Sequence, residues 1–128
     1  MVEISEHVRA LLDKPVLVNL GTVRPDGAPQ VNPMWFVFDG EFIWFTHTNA
    51  RQKYKNFAHE PRVSISILDP ENLYGYVEIR GVVDHIDDDP EAELYQRLSE
   101  RYNGESATPQ DAPQRVAVAV RPTKIVGQ

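Results

Sequence analysis

The sequence predicts a mainly β protein with short helices, built as a six-stranded antiparallel barrel. Three observations predict it. Runs rich in β-branched and aromatic residues recur along the chain. Compact turn signals join most of them, at Pro25-Asp26-Gly27, Asp39-Gly40 and Asp69-Pro70-Glu71-Asn72. Strand and helix patterns do not alternate regularly, which argues against a doubly wound parallel sheet.

Residues 4–13 place Ile4, Val8, Leu11 and Leu12 on one helical face. Ser5 or Glu3 starts this helix, and Pro15 ends it. Residues 16–23 form the first strand by their β-branched content. The second covers residues 30–38. Asp39-Gly40 then turns the chain into the third, residues 41–48, where Phe42, Trp44 and Thr46 alternate with Ile43, Phe45 and His47. Thr48 or Asn49 can cap a short helix over residues 50–59, which Pro61 stops. Residues 62–68 form the fourth strand, and residues 74–86 a long fifth with a bulge or bend at Gly81. Asp89 with Pro90 behind it opens a helix that runs to Asn103 and stops at Gly104. Its buried stripe is Leu94, Leu98 and Tyr102, with Tyr95 beside them. Residues 104–114 are a polar loop, and residues 115–120 are the last strand.

The 128 residues make a single domain, 1–128. With 41% hydrophobic and 25% charged residues, a packed core is feasible and disorder is not expected. There is no cysteine, so disulfides, thiolate metal sites and cysteine nucleophiles are excluded. The net charge of −6 opposes nucleic-acid binding through the overall field. No apolar run approaches the ~20 residues of a membrane span. The acidic, amphipathic start, Met1-Val2-Glu3-Ile4-Ser5-Glu6, does not read as a signal peptide. The expectation is a cytoplasmic protein with no nucleic-acid or membrane partner.

One segment departs from the acidic balance. Residues 51–62 carry Arg51, Lys53, Lys55 and Arg62 against the single acid Glu60, directly after Thr46-His47-Thr48. Hydroxyls at a strand end, a helix N-terminus and nearby cations suit a phosphate, because backbone N–H groups and the helix dipole favour an anion. The same pattern also fits an ordinary basic helix face with Lys53 exposed, and spacing alone leaves both readings open. Aromatics crowd both faces of residues 35–45, so something must cover the outer face, either a flat cofactor or a second subunit. The four histidines, His7, His47, His59 and His85, lack metal-ligand spacing, so no metal site is expected. No nucleophile elbow, Walker loop or dinucleotide fingerprint is present.

The order of Gly27-Ala28-Pro29-Gln30-Val31-Asn32-Pro33-Met34-Trp35-Phe36, Asp39-Gly40, residues 46–56 and Pro61-Arg62-Val63-Ser64-Ile65 resembles the pyridoxamine 5'-phosphate oxidase-like split β-barrel family. The likeness runs from about Leu11 to Val126. The Arg51-x-Lys53-x-x-Asn56 spacing and Glu60-Pro61-Arg62 are most similar to its deazaflavin branch, which uses coenzyme F420. The resemblance implies an FMN-binding split-barrel fold and a homodimer with cofactor sites at the subunit interface. It implies that Arg51 and Lys53 bind the cofactor phosphate, with Lys55 near an acidic tail, and that Thr46 and Thr48 donate hydrogen bonds to the phosphate or its chain. It implies that His47 and Asn56, in the same segment, also bind the cofactor. Gln30, Val31, Asn32 and Pro33 would lie along the ring system through backbone contacts. Trp35, Tyr74 and Tyr76 could wall the substrate pocket, the tyrosines from the partner subunit. The implied activity is hydride transfer from reduced F420 to a small organic molecule, chemistry that belongs to the cofactor. His47, Tyr74 and solvent are candidate proton donors. The alternatives are an FMN-binding oxidase or flavin reductase of the same fold, and a cofactor-binding protein without enzymatic activity.

Overall fold

A computed structural model describes residues 2–127; Met1 and Gln128, at the ends of the sequence-predicted domain, lie outside the described residues. Helix α1 (Glu6–Leu12) is followed by strands β1 (Val18–Val23), β2 (Pro29–Met34), β3 (Val37–Phe38) and β4 (Ile43–Thr48). Helix α2 (Gln52–His59), strands β5 (Arg62–Asp69) and β6 (Asn72–Asp88), helix α3 (Glu93–Asn103), a 3-10 turn (Ala112–Gln114) and strand β7 (Arg115–Val126) complete the chain. All seven strands form one sheet in the order β2-β1-β5-β6-β7-β4-β3. Every ladder is antiparallel.

Seven strands replace the six expected, because residues 30–38 are two strands and not one. Strands β2 and β3 sit at opposite edges of the sheet, yet only Trp35 and Phe36 separate them. Laid flat, seven strands would hold those edges about 29 Å apart at ~4.8 Å per step. Three Cα steps from Met34 to Val37 reach at most about 11 Å. The sheet therefore has to curl until its edges nearly meet. Among the described residues no ladder joins β2 to β3, so the barrel stays split.

The concave face holds the core. Inward positions on β5 and β7 (Val63, Ile65, Ile67; Val116, Val118, Val120) meet Val77 and Ile79 of β6 and Ile43 and Phe45 of β4. Helix α1 adds Val8, Leu11 and Leu12. Its cap is Ser5, whose hydroxyl accepts from the Val8 N–H at 3.2 Å. The bulge expected at Gly81 is present: the β6–β7 register slips between Arg80 and Gly81, and Gly81 faces Pro122. A Cβ there would lie 2.7 Å from Val120 Cγ1, so only glycine lets the strands approach this closely.

Helix α3 begins three residues later than Pro90 suggests. Ala92 takes a left-handed conformation (φ 55°), and the helix starts at Glu93. Asp89 still serves the N-terminus, accepting from the Glu93 and Leu94 N–H groups at 2.9 and 3.0 Å. Of the expected stripe only Leu98 is buried outright; Leu94, Tyr95 and Tyr102 are half-buried. Tyr102 does specific work where the chain crosses the split. Its hydroxyl accepts from the Phe36 N–H at 3.1 Å and donates to the Val16 carbonyl at 2.7 Å. Trp35 stacks on the Tyr102 ring, with centroids 5.1 Å apart and planes 8° from parallel. Helix α3 thus covers Trp35, an aromatic that the sequence left to a cofactor or a second subunit.

Arg101 closes the C-terminal end of α1. Its guanidinium donates to the carbonyls of Leu12, Asp13 and Lys14 at 3.1, 3.4 and 2.6 Å and lies over the Phe36 ring. These carbonyls have no helical partner, and a cation there also answers the helix dipole. Replacing Arg101 with alanine is expected to destabilise the fold by about 2–3 kcal/mol, the usual scale for partly buried charged hydrogen bonds. Urea unfolding checks this as a lower midpoint with an unchanged slope.

Candidate cofactor site

Strand β2 pairs on one side only, with β1, so its other edge is open. Its side chains alternate. Val31 and Pro33 are exposed, while Gln30 and Asn32 are half-buried. The latter two meet α2 in one hydrogen-bonded chain. Gln52 donates to Asn56 Oδ1 at 2.9 Å, and Asn56 Nδ2 donates to Thr22 Oγ1 at 2.9 Å and Gln30 Oε1 at 3.1 Å. Gln30 Nε2 then donates to Asn32 Oδ1 at 3.0 Å, which also accepts from Lys53 Nζ at 3.3 Å. Asn56 is fully buried and sits behind the surface, fixing Gln30.

Lys53 is the unusual member. It is 9% exposed, not the solvated lysine of a basic helix face. Burial, and then the charge of Arg51, push its ammonium below the ordinary lysine value. Among the described residues no carboxylate acts on it to offset that cost. An uncompensated buried cation is expensive and calls for an anion. Arg51 is the exposed residue at the N-cap of α2, and no side chain caps that helix, against the expectation for Thr48 or Asn49. Lys55 is exposed, two residues or about 200° around the helix from Lys53, so the structure does not bring these two lysines together.

Strand β4 supplies the floor. Thr46, His47 and Thr48 are all buried. Thr46 Oγ1 and His47 Nε2 have no hydrogen-bond partner. Burial first, then the charges of Lys53, Arg51 and Arg115, lower the His47 pKa from 6.5 to about 3. In the unliganded protein these effects keep His47 neutral at physiological pH, which weighs against it as the proton donor. Arg115 is a third cation in this field that sequence reasoning missed. It is held by Asp111 at 3.0 Å and stacked over Tyr95. In the sequence it is the first residue of the last strand; the structure pairs it with Thr48 across the β4–β7 ladder.

Beside these residues, Thr46, Pro33 and Trp35 line a cavity of about 290 Å³ with Leu17 and Met34. Three expected site residues, two from the 30–38 segment and one from β4, therefore meet. Tyr74 and Tyr76 lie on the β5–β6 hairpin, 95% and 60% exposed, and line no part of that cavity. A larger concavity of about 660 Å³ lies across β2, β1, β5 and β6; the expected site residues Gln30 and Val31 line it, together with Arg62 and Arg80. Those arginines are already paired, Arg62 with Glu60 and Arg80 with Glu78. No orphaned buried polar atom lies there among the described residues. The unpaired cation and the orphaned Thr46 hydroxyl both favour the β2–β4–α2 site for an anionic ligand.

The model of the pyridoxamine 5'-phosphate oxidase family matches residues 4–128. The chain belongs to that family. A solved structure named F420 Reductase is 47% identical to this family member, with a TM-score of 0.93, covering 98% of this chain and 100% of its own. A conserved hypothetical protein of Mycobacterium tuberculosis is 27% identical, with a TM-score of 0.76, covering 98% of this chain and 84% of its own. The pyridoxine/pyridoxamine 5'-phosphate oxidase of Bacteroides thetaiotaomicron is 26% identical over 113 residues, 86% of this chain. The chain spans about half the length of that curated relative, 52%.

Proposed function

We propose that the protein is an oxidoreductase that uses reduced coenzyme F420 to transfer a hydride to a small organic acceptor. The observation that carries this reading is Lys53: a buried cation without a counter-charge, bonded to Asn32 of the open-edged strand β2, whose Pro33 lines one cavity with the orphaned Thr46. Membership of the oxidase family and the likeness to a protein named F420 Reductase support a flavin-type cofactor. The residues present fit such a group. Lys53 and Arg51 would hold its phosphate, and Thr46 would donate to an oxygen of the phosphate or its chain. The free backbone edge of β2 from Gln30 to Pro33 would lie along the ring, positioned by Asn56 and Lys53 from behind. When bound, the reduced deazaflavin supplies the hydride. Trp35, Pro33 and Met34 keep water from the adjoining cavity, and α3 holds Trp35 in place. Side-by-side fluorescence titrations with F420 and FMN, followed by oxidation of reduced F420 across a panel of acceptors, test the proposal. Binding and turnover with F420 are expected. Preference for FMN would make the protein an FMN enzyme of the same fold, and binding without turnover a carrier.

The proposed enzyme is a homodimer in the cytoplasm. Among the described residues, no helix is long and apolar enough to cross a membrane. Leu17, Leu68, Leu73, Tyr74 and Tyr76 are each at least half exposed, at 59%, 50%, 69%, 95% and 60%. Most of them flank one end of β5 and β6, and a second copy would cover them and bring its tyrosines toward the cofactor. Obligate interfaces bury ~2,000 Å² or more. Analytical ultracentrifugation over a dilution series is expected to show a dimer to nanomolar concentration. A monomer that still binds cofactor would contradict it.

A further inference from the structure

We propose that the corner formed by Phe42, Trp44 and His85 binds a small quaternary ammonium ion. The three side chains come from β4, the turn before it and β6, and their rings stand nearly perpendicular to one another. Phe42 meets Trp44 at 79°, Phe42 meets His85 at 89° and Trp44 meets His85 at 79°, with centroids 6.0, 5.3 and 5.5 Å apart. All three line one cavity of about 540 Å³, together with Asp39, Gly40 and Glu41. Near-perpendicular aromatic walls suit a compact cation, which is drawn to ring faces and needs no directional hydrogen bonds.

The corner is built and held. Asp39 Oδ2 accepts from Trp44 Nε1 at 2.8 Å, while its Oδ1 accepts from the Glu41 and Phe42 N–H groups at 2.8 and 2.7 Å. Burial alone would raise the Asp39 carboxyl, but these hydrogen bonds outweigh it and hold it below the ordinary value. A fixed negative charge thus stands at the edge of the Trp44 ring. His85 is held in turn, with Nδ1 2.8 Å from Asp84 and Nε2 3.7 Å from Asp87. Glu41 adds a further carboxylate to the lining. Arg121 lies 3.5 Å from Asp84, and Arg97 lines the neighbouring concavity with Trp44 and Asp87. Among the described residues no group of acidic or histidine side chains converges closely enough to hold a metal ion. Ring faces with a carboxylate rim, and no converging oxygen ligands, select a weakly hydrated organic cation over a metal. The site is separate from the cofactor site, and its test does not depend on that reading.

Choline chloride is the probe, titrated into the full-length protein while the Trp44 indole N–H resonance is followed by NMR. The uncharged isostere 3,3-dimethylbutan-1-ol is the control. A saturable shift of Trp44 is expected with choline, with the isostere about tenfold weaker or more. Trp44→Leu, followed through the His85 ring resonances because the indole probe is gone, should weaken choline binding about tenfold. Phe42→Leu and Glu41→Gln should each weaken it severalfold, so the test stands if the tryptophan variant fails to fold. Cofactor binding should be unchanged in Glu41→Gln. An unsaturable shift, equal binding of the isostere, or a response at Trp35 instead of Trp44 would overturn the proposal. Co-sedimentation with phosphatidylcholine vesicles, with no response to free choline, would overturn the assignment to a soluble ligand.

Discussion

Lys53→Met is expected to stabilise the unliganded protein while weakening F420 binding roughly 10- to 150-fold. The two effects share one cause. Lys53 is buried and its pKa is lowered by burial and by Arg51, so the folded state holds the proton less firmly than the unfolded chain does. As pH falls from the ordinary lysine value of 10.5 through the lowered one, the charged side chain increasingly opposes folding. Methionine fills the same space without the charge and should add about 1 kcal/mol of stability at neutral pH. It also removes a charge-assisted contact to the cofactor phosphate, worth ~1.5–3 kcal/mol, which gives the stated range in affinity. Salt should weaken binding to the wild type more than to the variant, since the lost contribution is electrostatic. Urea unfolding without cofactor and fluorescence titration at two salt concentrations measure both halves. An exposed lysine would leave stability unchanged; equal affinities would place Lys53 outside the site.

The second large effect is acid sensitivity from His47. Its folded pKa of about 3 lies below the ordinary 6.5, so below pH 6.5 the unfolded chain takes up a proton that the folded chain refuses. The stability from a neutral His47 is complete above 6.5 and is lost as pH falls from 6.5 toward 3. A gap of that width between the folded and unfolded values corresponds to roughly 4–5 kcal/mol in all. Asp39, Glu60, Glu78 and Asp84 also have lowered values, but they act below the ordinary carboxylate range. The slope just below pH 6.5 therefore belongs to His47, and His47→Gln should flatten it. Urea midpoints taken at intervals from neutral to mildly acidic pH read the slope directly. A bound polyanion should oppose the field of Lys53, Arg51 and Arg115 and raise the His47 pKa, visible as a displaced NMR titration of its ring.

Much of this was legible in the sequence because local chemistry and the final packing agree. Asp39-Gly40 turns as expected, with Gly40 at positive φ, and Gly81 marks a real bulge. The failures occur where tertiary packing overrides local pattern. Residues 30–38 read as one strand because apolar residues continue through Trp35 and Phe36, but the chain crosses between sheet edges there. The last strand reaches Val126, past the end of the Val–Ala alternation at Val120, because the register slip at Gly81 lets Pro122 sit in the ladder. Pro90 imitates a first helical residue, while Ala92 turns the chain once more before α3. At the site, the basic segment after Thr46-His47-Thr48 stood out by charge. Which of its lysines is buried depended on where β2 lies, and no periodicity within α2 carries that. The roles of Thr22, Gln52, Arg101, Tyr102 and Arg115 were not legible for the same reason: each acts on residues distant in the chain or hidden behind the surface, although Tyr102 was expected in the buried stripe of α3.

The most direct measurement is a crystal structure of the protein with F420 bound. The cofactor phosphate is expected within hydrogen-bonding reach of Lys53 and Arg51, with the Thr46 hydroxyl no longer orphaned and the ring against the free edge of β2. A phosphate lying instead in the groove of β1, β5 and β6, against Arg62 and Arg80, would contradict the proposed site.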